Sequence, residues 1–323
     1  MKSRLEAFAT LLSKFQASGN QLCIIKSLGA PWLSTPKQRI IVLDSSFNPP
    51  TLAHMHMALT AIQRVSSCPG PILAVDSSCQ VFGESDDTPK AMGVLLLLSV
   101  NNADKAPKPA PFDQRLCMMQ DFAEDLLDLI KTKSKPEVLP IGTALPYTVA
   151  IGLTTLPFFH SKATALAELE NGPDVSSMGE TLATNAPASA DQIYLVGFDT
   201  LVRIFNPKYY GGAAGMREAL GPFFARARLS ITMRPGSEWG SIADQQKYLE
   251  EMKKGGLENV GGCSEWLGRV ELVEGRRPGE PVISSTLARE AVRNGDERLL
   301  DVIVSGKLKA WIKSEGLYKE NRR

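Results

Sequence analysis

Arg39-Ile40-Ile41-Val42-Leu43-Asp44-Ser45-Ser46-Phe47-Asn48-Pro49-Pro50-Thr51-Leu52-Ala53-His54 passes from an apolar run, through small and polar residues, to a histidine. Ile40 to Leu43 has the pattern of a strand buried on both faces of a parallel sheet. Asn48-Pro49-Pro50 can neither continue that strand nor lie inside a helix. Thr51 can cap a helix, in which Met57, Ala58, Ala61, Ile62 and Val65 recur at helical spacing. His54 therefore falls in the first turn of a helix, at the carboxyl end of a strand, where open α/β sheets bind ligands. Free N–H groups and partial positive charge at such a terminus favour phosphate. A histidine there can donate to phosphate oxygens and stabilise charge growing on a leaving group. The plainer alternative is a surface turn whose histidine only caps a helix.

A second segment, Ile283-Ser284-Ser285-Thr286-Leu287-Ala288-Arg289, reads similarly. Ser284, Ser285 and Thr286 can cap a helix carrying Leu287, Ala288, Ala291 and Val292 on one side. Three hydroxyls, free backbone N–H groups and the rigid, always charged fork of Arg289 would make an anion cradle. An ordinary capped helix with a solvated arginine is the alternative here. Each segment supplies what the other lacks, and together they point to chemistry on a nucleoside triphosphate.

Around these segments the chain alternates. Strand candidates near 39–44, 72–76, 93–100, 148–153, 192–197, 227–233 and 269–273 are separated by helical patterns, which argues for a mainly parallel sheet flanked by helices. Leu5, Phe8, Leu11, Leu12 and Phe15 fit one face of an amphipathic helix. Residues 1–38 are accordingly expected to be a helical extension packed on the core, and 39–323 a single domain. The segment Gly172 to Asp191, rich in Ser, Thr, Ala, Asn and Pro, reads as a flexible insertion. After the apolar run Val94 to Val100 come Asn101, Asn102, Asp104, Lys105 and Lys108, where substrate contacts would lie. Arg115 opens a long amphipathic helix and is either a phosphate ligand or a surface residue.

Composition excludes some classes. A net charge of +1 leaves no basic field for nucleic acid or an anionic membrane. No apolar run reaches membrane-spanning length. Cys23, Cys68, Cys79, Cys117 and Cys263 have no paired metal spacing, and an odd count without a secretory signal points to free thiols in a reducing compartment, cytoplasm or nucleus. Lys2, Arg4, Lys14 and Lys26, against Glu6 alone, would also suit a mitochondrial presequence; the packed helix is the favoured reading.

Ser45-Ser46-Phe47-Asn48-Pro49 through His54 resembles the Gly-Ser-Phe-Asn-Pro and (Thr/His)-x-Gly-His motif of nucleotidylyltransferases. Ile283 to Arg289 resembles the Ile-Ser-Ser-Thr-x-x-Arg motif of the nicotinamide mononucleotide adenylyltransferase family. Between them, Gly197-Phe198-Asp199 resembles a Gly-x-Asp segment at a strand end, and Leu229 to Arg234 the strand ending in Arg that comes after it. With Asn206-Pro207-Lys208-Tyr209-Tyr210, the variant motif looks most like a fungal subgroup of that family. The resemblance implies a Rossmann-like nucleotidylyltransferase fold and adenylyl transfer from ATP, with Mg2+, to nicotinamide mononucleotide. It implies that His54 and Arg289 serve catalysis. ATP would lie against Ser46, Phe47, Thr51, His54, Gly197, Asp199, Ser284, Ser285, Thr286 and Arg289. The acceptor would lie against Ser45, Ser46, Phe47, Lys105 and Arg115.

Three departures stand out. Ser45 and Ala53 replace glycines of the pattern, and the Glu-Val-Asp-Thr-Trp-Glu segment, whose Trp stacks on the base, is missing. Tyr147 to Phe159 stands in its place; Phe158 or Phe159 could stack on a base, though a core aromatic is favoured. Lys162, after the Phe pair, is a further candidate contact. A nucleotide-binding protein with a regulatory or interaction role, or a nucleotidylyltransferase for another phosphorylated acceptor, therefore stays open as an alternative.

Overall fold

The computed structural model describes residues 2–29, 39–67, 92–100, 109–133, 147–169, 190–234, 239–275 and 280–319. The elements run α1 (Lys2–Ser18), β1 (Leu22–Gly29), β2 (Arg39–Asp44), α2 (Leu52–Ser67), β3 (Met92–Ser99), α3 (Phe112–Lys133), β4 (Tyr147–Thr154), α4 (Phe159–Glu168), β5 (Asp191–Gly197) and α5 (Phe198–Ile204). They continue with α6 (Ala213–Arg226), β6 (Ala227–Thr232), α7 (Ile242–Glu251), α8 (Leu257–Asn259), β7 (Val270–Val273), α9 (Ser285–Asn294), α10 (Glu297–Ile303) and α11 (Gly306–Ser314).

The strands form one sheet in the order β1-β4-β3-β2-β5-β6-β7. Every pairing is parallel except β1 with β4. Counted from β2, the parallel strands lie in the order 3-2-1-4-5-6, the doubly wound arrangement. Strand order reverses between β2 and β5, so the crevice at their carboxyl ends is the topological switch point.

The unbroken apolar run of β2 is a consequence of that position. Ile41 and Leu43 face a core built with α1, α2, α3 and α9 to α11, while Ile40 and Val42 face a second core built with α4 to α8. All four are buried. A strand covered on both faces has no polar side to show.

The expected parallel strands agree with β2 to β7, apart from the 72–76 candidate, which lies outside the described residues. The amphipathic face of α1 is packed as its spacing predicts: Phe8 and Phe15 are buried, and Arg4 pairs with Asp121 of α3 at 2.6 Å while its guanidinium lies 4.1 Å above the Trp311 ring. The expectation that 1–38 is a helical extension omits β1, which joins the sheet as its antiparallel edge. Leu22 to Ile25 is only four apolar residues long, and periodicity cannot tell so short a run from a buried helical turn. Residues 172–189 of the expected insertion lie outside the described residues; Asp191, its last residue, opens β5 and pairs with Arg228 at 3.1 Å. Among the described residues no helix is long and apolar enough to cross a membrane.

Candidate active site

The chain leaves β2 through a turn held in an uncommon conformation. Phe47 sits at φ 45°, in the left-handed region, with its ring fully buried 5.6 Å from the His54 ring and 6.5 Å from Phe122. A bulky residue persists there only when its surroundings over-determine it. The Asn48–Pro49 peptide bond is cis. α2 then starts, with Met55 N–H donating to the Thr51 carbonyl at 3.2 Å.

His54 is fixed at both ring nitrogens. Thr51 N–H donates to Nδ1 at 3.1 Å, and the Thr51 hydroxyl lies 2.9 Å from the same atom. A backbone N–H can only donate, so Nδ1 accepts and the neutral ring carries its proton on Nε2. That Nε2–H donates to Ser45 Oγ at 3.0 Å. Burial, with the nearby charge of Arg234, pushes the imidazole down to about 4. At neutral pH His54 is therefore an aimed hydrogen-bond donor rather than a cation.

The second motif is bolted onto this turn. Ser284 caps α9 by accepting from Leu287 N–H at 3.1 Å. Ser285 Oγ donates to the Pro49 carbonyl at 2.8 Å. Arg289 Nη1 donates to the Asn48 carbonyl at 2.7 Å, and its Nη2 to Thr286 Oγ1 at 3.0 Å. Tyr318 OH donates to Asn48 Oδ1 at 2.8 Å. From α3, Arg115 donates through Nε to the Ala110 carbonyl at 2.9 Å and through Nη1 to the Ser46 carbonyl at 3.4 Å. Burial lowers the Arg115 pKa, and the neighbouring Arg289 charge acts in the same direction. Arg289 leans on backbone oxygen and a hydroxyl, and no carboxylate pairs with it among the described residues.

On the β5 side, Gly197 lets a carboxylate close over the strand end. A Cβ there would lie 2.7 Å from Asp199 Oδ1 and 3.8 Å from Arg234 Cζ. Asp199 Oδ2 is 3.7 Å from Arg203 one turn along α5. On the β3 and β4 side, Lys162 of α4 forms a buried ion pair with Asp44 at the end of β2, and its Nζ also donates to Ser99 Oγ at 2.9 Å. Burial raises the Asp44 pKa, and the Lys162 charge opposes that shift.

The structure thus gathers Ser45, Ser46, Phe47, Thr51, His54, Arg115, Ser284, Ser285, Thr286 and Arg289 about one turn, with Gly197 at the end of the neighbouring strand β5 and Asp199 in the first turn of α5. Lys105, like Asn101, Asn102, Asp104 and Lys108, lies outside the described residues. Two readings change. The three hydroxyls expected to line an anion cradle are all engaged within the protein: Ser284 caps α9, Ser285 donates to the Pro49 carbonyl and Thr286 accepts from Arg289. Phe159 packs edge-on to Tyr194 at 5.7 Å as a core aromatic, but Phe158 is 41% exposed and stacks on His160 at 5.4 Å. Phe158 holds the N-cap position of α4, outside that helix's buried face. The site residues that sequence reasoning misses are Arg234, read only as a strand end, and Tyr318, separated by 270 positions from its partner.

A strand–turn–helix with an aimed neutral histidine, and a second helix whose arginine is set on a carbonyl and a hydroxyl, meet at the switch point of a doubly wound α/β fold. No family model matches the chain. It is 30% identical over 290 residues, 90% of this chain and 88% of the relative, to the Schizosaccharomyces pombe protein named "Putative nicotinamide mononucleotide adenylyltransferase". By that relationship the chain belongs to the nicotinamide mononucleotide adenylyltransferase family. It also resembles the solved Plasmodium falciparum nicotinic acid mononucleotide adenylyltransferase, in its complexes with NaAD (16% identity, TM-score 0.43) and with APC (15%, TM-score 0.42). Each alignment covers 87% of this chain and 97% of that one.

Proposed function

We propose that this protein transfers the adenylyl group of MgATP to nicotinamide mononucleotide, forming NAD and releasing pyrophosphate. The observation that carries the reading is the junction of the two motifs. Arg289 and Ser285 grip the carbonyls of Asn48 and Pro49 in the turn that leads into His54. One rigid unit then presents a neutral Nε2–H donor and a guanidinium, both at the carboxyl edge of β2. Membership of the family supports the same reading.

In the proposed reaction a 5′-phosphate oxygen of the mononucleotide attacks the α-phosphorus in line. The bond from that phosphorus to the bridging oxygen breaks, and the electron pair leaves on pyrophosphate. No covalent enzyme intermediate is needed, so positioning and electrostatics carry the catalysis. His54 exchanges its Nε2–H···Ser45 bond for a phosphate oxygen without changing its protonation. Arg289 neutralises charge as it moves onto the leaving group. Among the described residues no group of three His, Cys, Asp or Glu side chains could hold a metal ion, and in this reading Mg2+ enters as part of MgATP. Arg115 and the backbone at Ser46 and Phe47 lie towards the acceptor, and Asp199 towards a ribose hydroxyl.

The test is incubation of the purified protein with MgATP and either nicotinamide or nicotinate mononucleotide, monitoring dinucleotide and pyrophosphate. Equal amounts of both products, lost by about 10²-fold in His54→Ala with folding intact, support the reading. Preference for the nicotinate acceptor would correct the substrate and leave the transfer. No dinucleotide from either acceptor, with MgATP bound, would favour the regulatory binder or another phosphorylated acceptor.

A further inference from the structure

Gln245 is a polar side chain with 0% exposure, buried in α7. An amide at that depth is costly unless both its ends are bonded. Both ends go to one residue: Nε2 donates to the Arg234 carbonyl at 2.8 Å, and Oε1 accepts from Arg234 N–H at 3.3 Å. The β6–β7 ladder continues past β6 through Met233 N–H to the Val273 carbonyl at 3.0 Å. Arg234 is the next residue, and the Gln245 amide pairs its backbone as a neighbouring strand would. The clamp fixes the direction in which the Arg234 side chain leaves the sheet. That direction crosses the end of β5, with Nε and Cζ each 3.8 Å from where a Cβ of Gly197 would stand. Among the described residues no carboxylate lies within ion-pair distance of the guanidinium, not even the adjacent Asp199. Its charge reaches His54, where it helps to keep the ring neutral.

We propose that Gln245 is a positioning residue that holds Arg234 over the end of β5 as a second polyphosphate-binding cation, complementing Arg289 on the β2 side. The inference rests on the nucleotide reading above and deepens it. The crevice then carries one guanidinium anchored to each side of the switch point. Arg289 leans on the Asn48 carbonyl through its own side chain, whereas Arg234 is aimed through its backbone.

The experiment is a double-mutant cycle on the full chain, with MgATP binding measured by calorimetry. Arg234→Gln is expected to weaken MgATP by about tenfold or more, the scale of one charge-assisted contact. Gln245→Leu is expected to weaken it several-fold in the wild-type background and to add nothing in Arg234→Gln. Gln245→Glu, close in shape and able to accept from Arg234 N–H but not to donate when ionised, covers the case in which the leucine variant fails to fold; it too is expected to lose affinity only while Arg234 is present. In turnover, KM for ATP rises while KM for the mononucleotide holds. Equal losses from the Gln245 change in both backgrounds, or unchanged MgATP binding in Arg234→Gln, would overturn the proposal. Wild-type protein that binds no MgATP overturns the nucleotide reading and this inference together. Wild-type protein that binds MgATP but transfers to neither mononucleotide overturns the acceptor alone, and the same cycle still decides the inference.

Discussion

Lys162 and Arg289 both stand at the carboxyl edge of the sheet, and their charges are handled in opposite ways. Beside β3 and β4, Lys162 is buried against Asp44 and hydrogen-bonded to Ser99, so its charge is cancelled inside the protein. Beside the β2–α2 turn, Arg289 rests on the Asn48 carbonyl and the Thr286 hydroxyl, dipoles that orient a guanidinium without neutralising it. The contrast separates scaffold from site. A cation paired with a carboxylate fastens α4 to the end of β2. A cation set on carbonyl oxygen keeps its attraction for a phosphate.

The largest expected effect lies on the scaffold side and concerns stability. Lys162→Met leaves Asp44 buried without its counter-charge, and should cost about 3–5 kcal/mol in denaturant unfolding. The double variant Lys162→Met/Asp44→Leu should recover much of that loss. If it does not, the pair has a role beyond fastening. The site side should respond in activity instead. Arg289→Gln is expected to lower kcat/KM by about 10²- to 10³-fold, the scale seen when one preorganised donor to developing charge is removed. An equal loss of activity and of folding would erase the distinction drawn here.

A smaller effect comes from protonation. The unfolded chain has the ordinary His54 value near 6.5 and the folded protein one of about 4, so the unfolded state binds more protons between those pH values. His54 therefore favours the folded state above about 6.5, and that contribution is lost as pH falls towards 4. Melting temperature measured from about pH 7 to 4 should fall less steeply in His54→Asn than in wild type. Arg234→Gln should raise the His54 pKa in an NMR titration, because one of its two depressing causes is gone. The smallest effect belongs to Ser45→Gly, which removes an acceptor that a phosphate oxygen would replace. KM for ATP should shift by no more than about fivefold, the scale of one net hydrogen bond.

What could be read in the sequence was local. The β2 run announced itself because both its faces are covered, and His54 because strand, turn and helix succeed one another within the single stretch from Arg39 to His54. Helix α9 was legible for the same reason, with Ser284 as its cap; the structure adds Gly295, which closes it in the left-handed conformation. What escaped depends on the folded arrangement. Tyr318 reaches Asn48 across 270 positions, a pairing that its own stretch of sequence does not show. Gln245 reads as an ordinary polar residue on an amphipathic helix until the fold buries it against the end of β6. Strand β1 escaped because its partner β4 lies far along the chain, and its own short run has no decisive period.

The most direct test of the central claim tracks the phosphorus. With MgATP labelled at the α position and nicotinamide mononucleotide as acceptor, the account predicts that label enters the dinucleotide in wild type, with the transfer strongly reduced in His54→Ala and Arg289→Gln. With label at the γ position, all of it should leave as pyrophosphate. Label from the γ position found on the acceptor, or α-label transfer unchanged in both variants, would contradict the account.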